Sequence, residues 1–316
     1  MSGEPAVTIA VVSWNTREPL RRCLESMRPA TESGLARVWV VDNGSDDGSV
    51  ELVRERFPWV ELIAAERNLG FGTAVNEVAR RSSSTWLAAS NADVELRPEG
   101  LEALLAAADE DPGAGALAPR LVAPDGETQH SVHSFPTVSL ALKVNLGLAA
   151  LVPGLGDRLC LEGHWDPERG RRVDWAHGAF LIVRRDAFET AGGFDPGQWM
   201  YAEDLDLAWR LDTAGFATRY VPSARVGHQG GAATRKAFAG ERTALHTAAA
   251  QDWMARRQGA GAARAYAAIN ALGGAVRLLA LVPLARLAPA RFAERRTLES
   301  RYLRLHLAGL RSPAAR

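Results

Sequence analysis

The strongest constraint on this chain is a strand–helix alternation that runs through its first third. Val7-Thr8-Ile9-Ala10-Val11-Val12 is β-branched and apolar on both faces, the pattern of a buried strand in a parallel sheet. A helical stretch over 18–27 follows, then the strand Val38-Trp39-Val40-Val41, which ends at Asp42. The same alternation continues with a helix from Ser49 to Phe57, a strand Val60-Glu61-Leu62-Ile63, and a helix from Thr73 to Arg81. Trp86-Leu87-Ala88-Ala89 is a fourth strand and runs into Ser90-Asn91-Ala92-Asp93. Repetition of this kind predicts an α/β fold: a Rossmann-like, mostly parallel sheet flanked by helices on both faces.

Farther along, the pattern weakens between His130 and Arg171, where Pro, Gly and mixed polar residues predict a loop-rich insertion. A strand-like stretch resumes from Val173 to Val183, Asp204 to Leu211 reads as a helix, and Ala217 to Val221 as a further strand. From Thr234 onward the chain reads as helices. The expected division is therefore a catalytic-type domain over 1–233 and a helical C-terminal extension over 234–316.

Composition narrows the functional classes. The 316 residues carry 37 basic and 37 acidic side chains, so bulk charge gives no reason to expect nucleic-acid binding. Two cysteines, Cys23 and Cys160, are too few for a disulfide framework or a cysteine zinc site, and suit a reducing compartment. No N-terminal basic-then-apolar segment predicts a signal peptide, and no uninterrupted apolar run of about 18 residues predicts a membrane span. The expectation is a cytoplasmic protein. The stretch from Ile269 to Leu284 is apolar but broken by Arg277 and Pro283, and Arg286, Arg291, Arg295 and Arg296 follow it. A basic amphipathic helix of this type can lie in a membrane interface, which predicts peripheral contact with the cytoplasmic face of the cell membrane. Packing on the catalytic domain, or a homo-oligomer contact, is the plainer alternative.

Open α/β sheets bind ligands at the carboxyl ends of their strands. Here those ends carry polar groups: Ser13-Trp14-Asn15, Asp42-Asn43-Gly44-Ser45 and Asn91-Ala92-Asp93. A carboxylate such as Asp93 at a strand end can hold Mg²⁺ or Mn²⁺ against a diphosphate, because these hard cations take one or two protein carboxylates plus phosphate oxygens. A turn cap is the alternative for an Asp there. Glu203-Asp204-Leu205-Asp206 opens a helix, and three acids exceed what a cap requires, so one of them can serve as a general base. Asp206 and Arg210 are spaced for an ordinary i,i+4 pair. His228, in Gly227-His228-Gln229-Gly230-Gly231, can complete a metal shell or stand as a plain loop histidine. Asn68-Leu69-Gly70-Phe71-Gly72 precedes a helix, where glycines allow close backbone approach to a phosphate or sugar.

Taken in order, these segments resemble the inverting glycosyltransferases of family 2, which have the GT-A fold. The stretches that carry the resemblance are Val11 to Asn15, Val40 to Ser49, Arg67 to Gly72, Ser90 to Asp93, Gly178 to Arg185, Gly192 to Asp195, Tyr201 to Leu207 and His228 to Gly231. They span roughly residues 5–235, and the nearest type within the family is the bacterial rhamnosyltransferase of cell-surface polysaccharide assembly.

The resemblance implies a nucleotide-sugar donor, with deoxythymidine-diphosphate rhamnose the first to try, and a glycan or lipid-linked acceptor. It implies Ser13, Asn15, Asp42, Asn68, Gly72, Asn91 and Asp93 on the donor side, Asp204 as the catalytic base, and Asp93 with His228 at a Mg²⁺ or Mn²⁺ ion. Trp175, His177, Gly178 and Glu203 fall on the acceptor side. The sequence departs from the family pattern at Asn91, which replaces the first acid of the Asp-x-Asp motif, at His177, where a small polar residue is expected, and at Gly197-Gln198-Trp199. A sugar nucleotidyltransferase would carry a Gly-rich basic loop after the first strand, which Ser13-Trp14-Asn15-Thr16-Arg17 lacks. A non-catalytic relative acting as a scaffold remains the second alternative, and the joint presence of Asp93, Asp204 and His228 argues against it.

Overall fold

The protein is described from a computed structural model covering residues 5–198, 200–230 and 242–311. Trp199, Gly231 and the expected domain boundary at 233/234 lie outside the described residues. The chain forms two compact units, one made of 1–133 with 165–239, the other of 134–164 with 240–316. Most of the expected loop-rich insertion, 134–164, thus belongs with the C-terminal helices.

The first unit is built on a nine-stranded sheet. Its strands, in chain order, are β1 Val7–Ser13, β2 Ala36–Asp42, β3 Glu61–Ala64, β4 Trp86–Asn91, β5 Val94–Leu96 and β6 Ala114–Val122. After the two-residue β7 Val132–His133 come β8 Arg171–Val173, β9 Trp175–Ala176, β10 Phe180–Arg184 and β11 Ala217–His228. The spatial order is β3-β2-β1-β4-β10-β6-β11-β5, with β8 on β11, while β7 and β9 pair separately. The β3-β2-β1-β4 wing is parallel, as the alternation predicts, and β10 enters antiparallel to β4 and β6. Six helices flank these strands: α1 Arg17–Glu32, α2 Ser49–Arg56, α3 Phe71–Ala79, α4 Pro98–Glu110, and later α8 Arg185–Thr190 and α9 Glu203–Thr213.

Helix α1 shows why the layers hold. Leu20, Cys23, Leu24 and Met27 recur at helical spacing and are all buried against Val7, Ile9, Val11, Val38 and Val40 of the sheet. Two strands differ from the sequence expectation. The Val173–Val183 stretch is broken into β8, β9 and β10, because the backbone turns at His177–Ala179 and the Gly178 amide donates to Asp204 Oδ2 instead of to a strand. Strand β11 does not stop before Pro222. A register shift between Val221 and Arg225 absorbs the proline, and the strand then continues to His228.

The second unit is helical. Its elements are α5 Val138–Asn145, the single turns α6 Leu148–Leu151 and α7 Leu155–Arg158, then α10 Arg242–Gln258, α11 Ala260–Leu287 and α12 Pro289–Arg311. Arg277 and Pro283, read from sequence as interruptions, lie within one continuous 28-residue helix, α11. An 18-residue window of it reaches a mean hydropathy of 1.7, so by length and composition it could cross a membrane, contrary to the sequence expectation. Pro283 lacks the amide that would donate to the Leu279 carbonyl, and the helix continues past it to Leu287.

A buried polar network sets the register of these helices. Asn270 is 3% exposed, and its Oδ1 accepts from Asn145 Nδ2 at 2.9 Å and from the Tyr302 hydroxyl at 2.6 Å. Arg277 donates to Asn145 Oδ1 and to Glu299 Oε2, and its guanidinium lies over the Tyr302 ring. Such a network stabilises only when complete. Asn270→Ala leaves Tyr302 and Asn145 each short of an acceptor, and is expected to cost about 2–4 kcal/mol. Urea denaturation followed by circular dichroism measures this. A loss below about 0.5 kcal/mol would mean that water replaces the amide at no cost.

Candidate active site

Parallel pairing aligns three strand ends. In register, Ser13 of β1 lies opposite Asp42 of β2, and Val12 lies opposite Asn91 of β4. The polar segments that the sequence places after these strands therefore meet at one edge of the sheet. Ser13 and Asp42 are both buried, at 0% and 2% exposure.

Asp42 has two differently used oxygens. Its Oδ2 accepts the Ser45 amide at 2.8 Å, while its Oδ1 is buried without a hydrogen-bond partner among the described residues. A buried carboxylate oxygen costs free energy until a donor reaches it, so Oδ1 marks a place for a ligand N–H or O–H. Asn15 sits in the left-handed region (φ 52°) and ties the two loops together. Its amide donates to Ser45 Oγ, and its Oδ1 accepts from the Asp46 amide, at 2.9 Å each. Asn15 thus shapes the nucleotide-side loop with its own polar groups already engaged.

Asn68 accepts the Gly70 amide at 2.9 Å, an Asx-type turn that leads into α3. Gly72 is explained by packing: a Cβ there would come within 2.6 Å of Phe194 Cβ. Asn76 of the same helix holds Phe194 by two backbone hydrogen bonds, one to its carbonyl and one from its amide.

The second cluster lies where β5 pairs with the end of β11. His228 is opposite Val94 in that pairing, and the Gln229 amide donates to the Asp93 carbonyl. This brings His228 Nε2 to 3.4 Å from Asp93 Oδ1, with both side chains 10% exposed or less. Gln129 determines how the imidazole is used. Its Nε2 donates to the His228 carbonyl at 2.8 Å, so its Oε1 is the atom 2.7 Å from His228 Nδ1 and accepts the proton there. With Nδ1 engaged in this way, Nε2 faces the Asp93 carboxylate and has no hydrogen-bond partner among the described residues. Either a proton on Nε2 or a metal ion between the two atoms would satisfy both. A hard divalent ion fits this oxygen–nitrogen pair. Among the described residues no cluster of three or more His, Cys, Asp or Glu could hold a metal, so its remaining positions would fall to phosphate oxygens and water.

The third cluster is the start of α9. Gly178 N donates to Asp204 Oδ2 at 2.9 Å and Leu205 N to Oδ1 at 2.8 Å, so two backbone donors orient the carboxylate. Tyr201, at φ 70°, makes the turn that delivers it. Beside it, burial and then the Asp204 charge push Glu203 up to about 8. Asp206 is fully buried and pairs with Arg210 at 2.8 Å, the i,i+4 pair that its spacing predicts. One residue before Gly178, His177 Nε2 lies 3.0 Å from His133 Nε2, and Trp175 stacks on the His133 ring at 4.5 Å. Trp175, His177 and Gly178 thus share one edge with Asp204. Asn91 meets the same region through its backbone, its amide donating to the Ala179 carbonyl.

Sequence reading did not single out Gln129, His133, Asn76 or Tyr201. Gln129 and His133 lie where periodicity fades, and the roles of all four appear only through partners distant in sequence.

Comparison with known proteins fits this geometry. The model of glycosyl transferase family 2 matches residues 8–190, and that of glycosyl transferase family group 2 matches 163–283. The chain is 36% identical over 235 residues to the N-acetylglucosaminyl-diphospho-decaprenol L-rhamnosyltransferase of Mycobacterium tuberculosis, covering 70% of this chain and 75% of that protein. A shorter segment of 56 residues is 46% identical to rhamnosyltransferase WbbL of Escherichia coli, covering 18% of this chain and 21% of that one. Among solved structures, the mannosyltransferase PcManGT from Pyrobaculum calidifontis, in complex with GDP-Man and Mn²⁺, has a TM-score of 0.57 at 19% identity. It covers 98% of this chain and 87% of its own. The fold is GT-A-like. The chain belongs to glycosyl transferase family 2 and is a rhamnosyltransferase-like glycosyltransferase.

Two outcomes follow from the side-chain geometry. Gln129→Ala frees the His228 ring to change tautomer, and loss of such an outer partner typically weakens metal binding by about 10–100-fold. Mn²⁺ titration in the presence of a nucleoside diphosphate tests this, and unchanged affinity would leave His228 outside a metal site. Glu203 binds its proton more tightly folded than unfolded, so stability falls as pH rises from about 4.5 towards 8. Glu203→Gln is therefore expected to raise Tm more at pH 8 than at pH 5. An equal change at both would place the Glu203 pKa near its ordinary value.

Proposed function

We propose that this chain is an inverting glycosyltransferase that uses a nucleoside-diphosphate sugar, with deoxythymidine-diphosphate rhamnose as the first donor to test. Its acceptor is a hydroxyl of a glycan or lipid-linked saccharide in cell-wall or surface polysaccharide synthesis. This places it in the cytoplasm, at the inner face of the cell membrane. The observation that carries the reading is a pair of buried atoms at strand ends of one sheet, Asp42 Oδ1 and His228 Nε2, that have no hydrogen-bond partner among the described residues. One suits a nucleoside donor group, the other a metal-bound diphosphate. The rhamnosyltransferase relatives favour the sugar, and the decaprenol-linked substrate in one relative's name favours a lipid-linked acceptor.

In the proposed reaction the acceptor hydroxyl gives its proton to Asp204 as its oxygen bonds to the anomeric carbon. The bond from that carbon to the diphosphate breaks, its electron pair leaves with the diphosphate, and the single displacement inverts the centre. Gly178 and Leu205 amides keep the Asp204 carboxylate aimed through this step. Glu203 retains its proton near neutral pH and so spares Asp204 an adjacent negative charge. Asp93 and His228 would hold Mg²⁺ or Mn²⁺, which when bound offsets the charge that grows on the leaving diphosphate. Asp42 would orient the nucleoside.

A positioned base contributes about 10²–10⁴-fold. Asp204→Asn should lower kcat by about that factor while the thermal shift given by nucleoside diphosphate and metal persists. Turnover close to that of the unaltered enzyme would remove Asp204 from the role. A donor panel with NMR of the product's anomeric centre tests the sugar and the stereochemistry, and a retained configuration would exclude the single displacement. Tight donor binding without transfer to any acceptor would favour a scaffold, and release of inorganic diphosphate from a nucleoside triphosphate in the presence of a sugar 1-phosphate would favour a nucleotidyltransferase.

A further inference from the structure

Among the described residues, every strongly exposed large hydrophobic side chain lies in the helical unit and none in the sheet unit. On α11 most of these form one stripe, with Val282 and Leu284 to either side of it. Leu272, Val276, Leu279, Pro283 and Leu287 follow helical spacing and face outward, with Leu272, Leu279 and Leu287 at 67%, 70% and 85% exposure. The stripe runs about 22 Å along the helix. Asn145 reaches both Asn270 and Arg277, so α5 crosses α11 there and sets its own exposed Leu142, Val144 and Leu146 beside it. Leu151 and Val152 extend the exposed apolar surface of this segment.

Charge identifies the occupant. Residues 242–311 hold twelve arginines and only three carboxylates. Arg286 interrupts the stripe's last turn, and Arg291, Arg295 and Arg296 follow, all exposed. A second copy of the unit, with so few carboxylates, offers these arginines little to pair with. An anionic lipid surface satisfies both halves of the patch: acyl chains take the leucines and headgroups take the arginines.

Helix α11 has the length to span a bilayer, but its inner face does not allow it. Asn270 and Arg277 depend on partners from α5 and α12. Helix α5 has eight residues, about 12 Å, far short of a hydrocarbon core of about 30 Å. Helix α12 carries six arginines and two glutamates, which exclude it from that core. A spanning α11 would leave an amide and a guanidinium unpaired in hydrocarbon. We propose that the helical unit docks on anionic membrane with α11 lying in the plane of the interface, its Leu272–Leu287 stripe immersed and the arginines of its end and of α12 at the headgroups. This goes beyond the catalytic reading and holds whichever sugar is transferred.

The test is co-sedimentation of the full chain with vesicles of phosphatidylcholine alone or mixed with phosphatidylglycerol. Binding is expected to the mixed vesicles, weaker in high salt, and released into the supernatant by alkaline carbonate. Leu272→Glu/Val276→Glu/Leu279→Glu should weaken it at least about tenfold, with circular dichroism and the nucleotide thermal shift unchanged because these side chains make exposed contacts only. Arg291→Ala/Arg295→Ala/Arg296→Ala is a second, fold-neutral variant, and should reduce binding to mixed vesicles alone. Retention in the carbonate pellet would overturn the in-plane reading in favour of a span. No binding to mixed vesicles, binding indifferent to both variants, or a dimer in light scattering that the Glu variant dissolves would overturn the proposal itself. The nucleotide thermal shift reads the catalytic assignment separately, so either can fail alone.

Discussion

The in-register parallel pairing of β1 with both β2 and β4 is the constraint on which the candidate site at the strand ends depends. Parallel neighbours end on the same side, so three loops that leave consecutive strands converge without any long-range device to gather them. The burial of Ser13 and Asp42 follows, because the strand ends lie inside the packed layer and not beyond it. What remains is local: Asn15 and Ser45 lock the first two loops to each other, and the free oxygen of Asp42 is left pointing at whatever fills the crevice.

The other half of the site is assembled antiparallel. Strand β10 lies against β4, and the turn before it presents the Gly178 amide to Asp204. Strand β11 must be long to reach β5 and bring His228 to Asp93, and the irregularity around Pro222 lets one strand serve β6 along its length and β5 at its end. The His228–Asp93 pair thus depends on a strand distortion more than a hundred residues from Asp93, and on a glutamine whose amide orientation is imposed by a carbonyl. Neither carries chemistry itself. Both set which lone pair faces the crevice.

These two halves differ in how far the sequence reveals them. β-branched runs buried on both faces announce themselves residue by residue, so the parallel wing and its polar ends are legible from Val7 to Asp93. The acid pair at 203–204 is legible as an excess of carboxylates over what a helix start needs. Gln129 is not legible, since its function lies in a partner 99 positions away. Gly72 misleads in the opposite direction: a glycine beside a helix start suggests ligand approach, yet Phe194 occupies the space a side chain would need. Proline misleads twice: at Pro222 a bulge accommodates a residue without an amide proton, and at Pro283 the helix continues past the lost hydrogen bond.

The helical unit is hard to read for a related reason. Hydropathy sums over a helix and does not say which face carries what. In α11 the two faces are inverted relative to an ordinary soluble helix: Asn270 and the Arg277 head group are paired inside, while leucines line the outside. A window average sees only the apolar excess and reports a span. The positions of the polar residues decide otherwise, since each is committed to a neighbouring helix that cannot follow it through a bilayer. The short α5 escapes sequence reading altogether, because eight residues give too few turns for a period to stand out, and its apolar side faces outward where a core-seeking pattern would not place it.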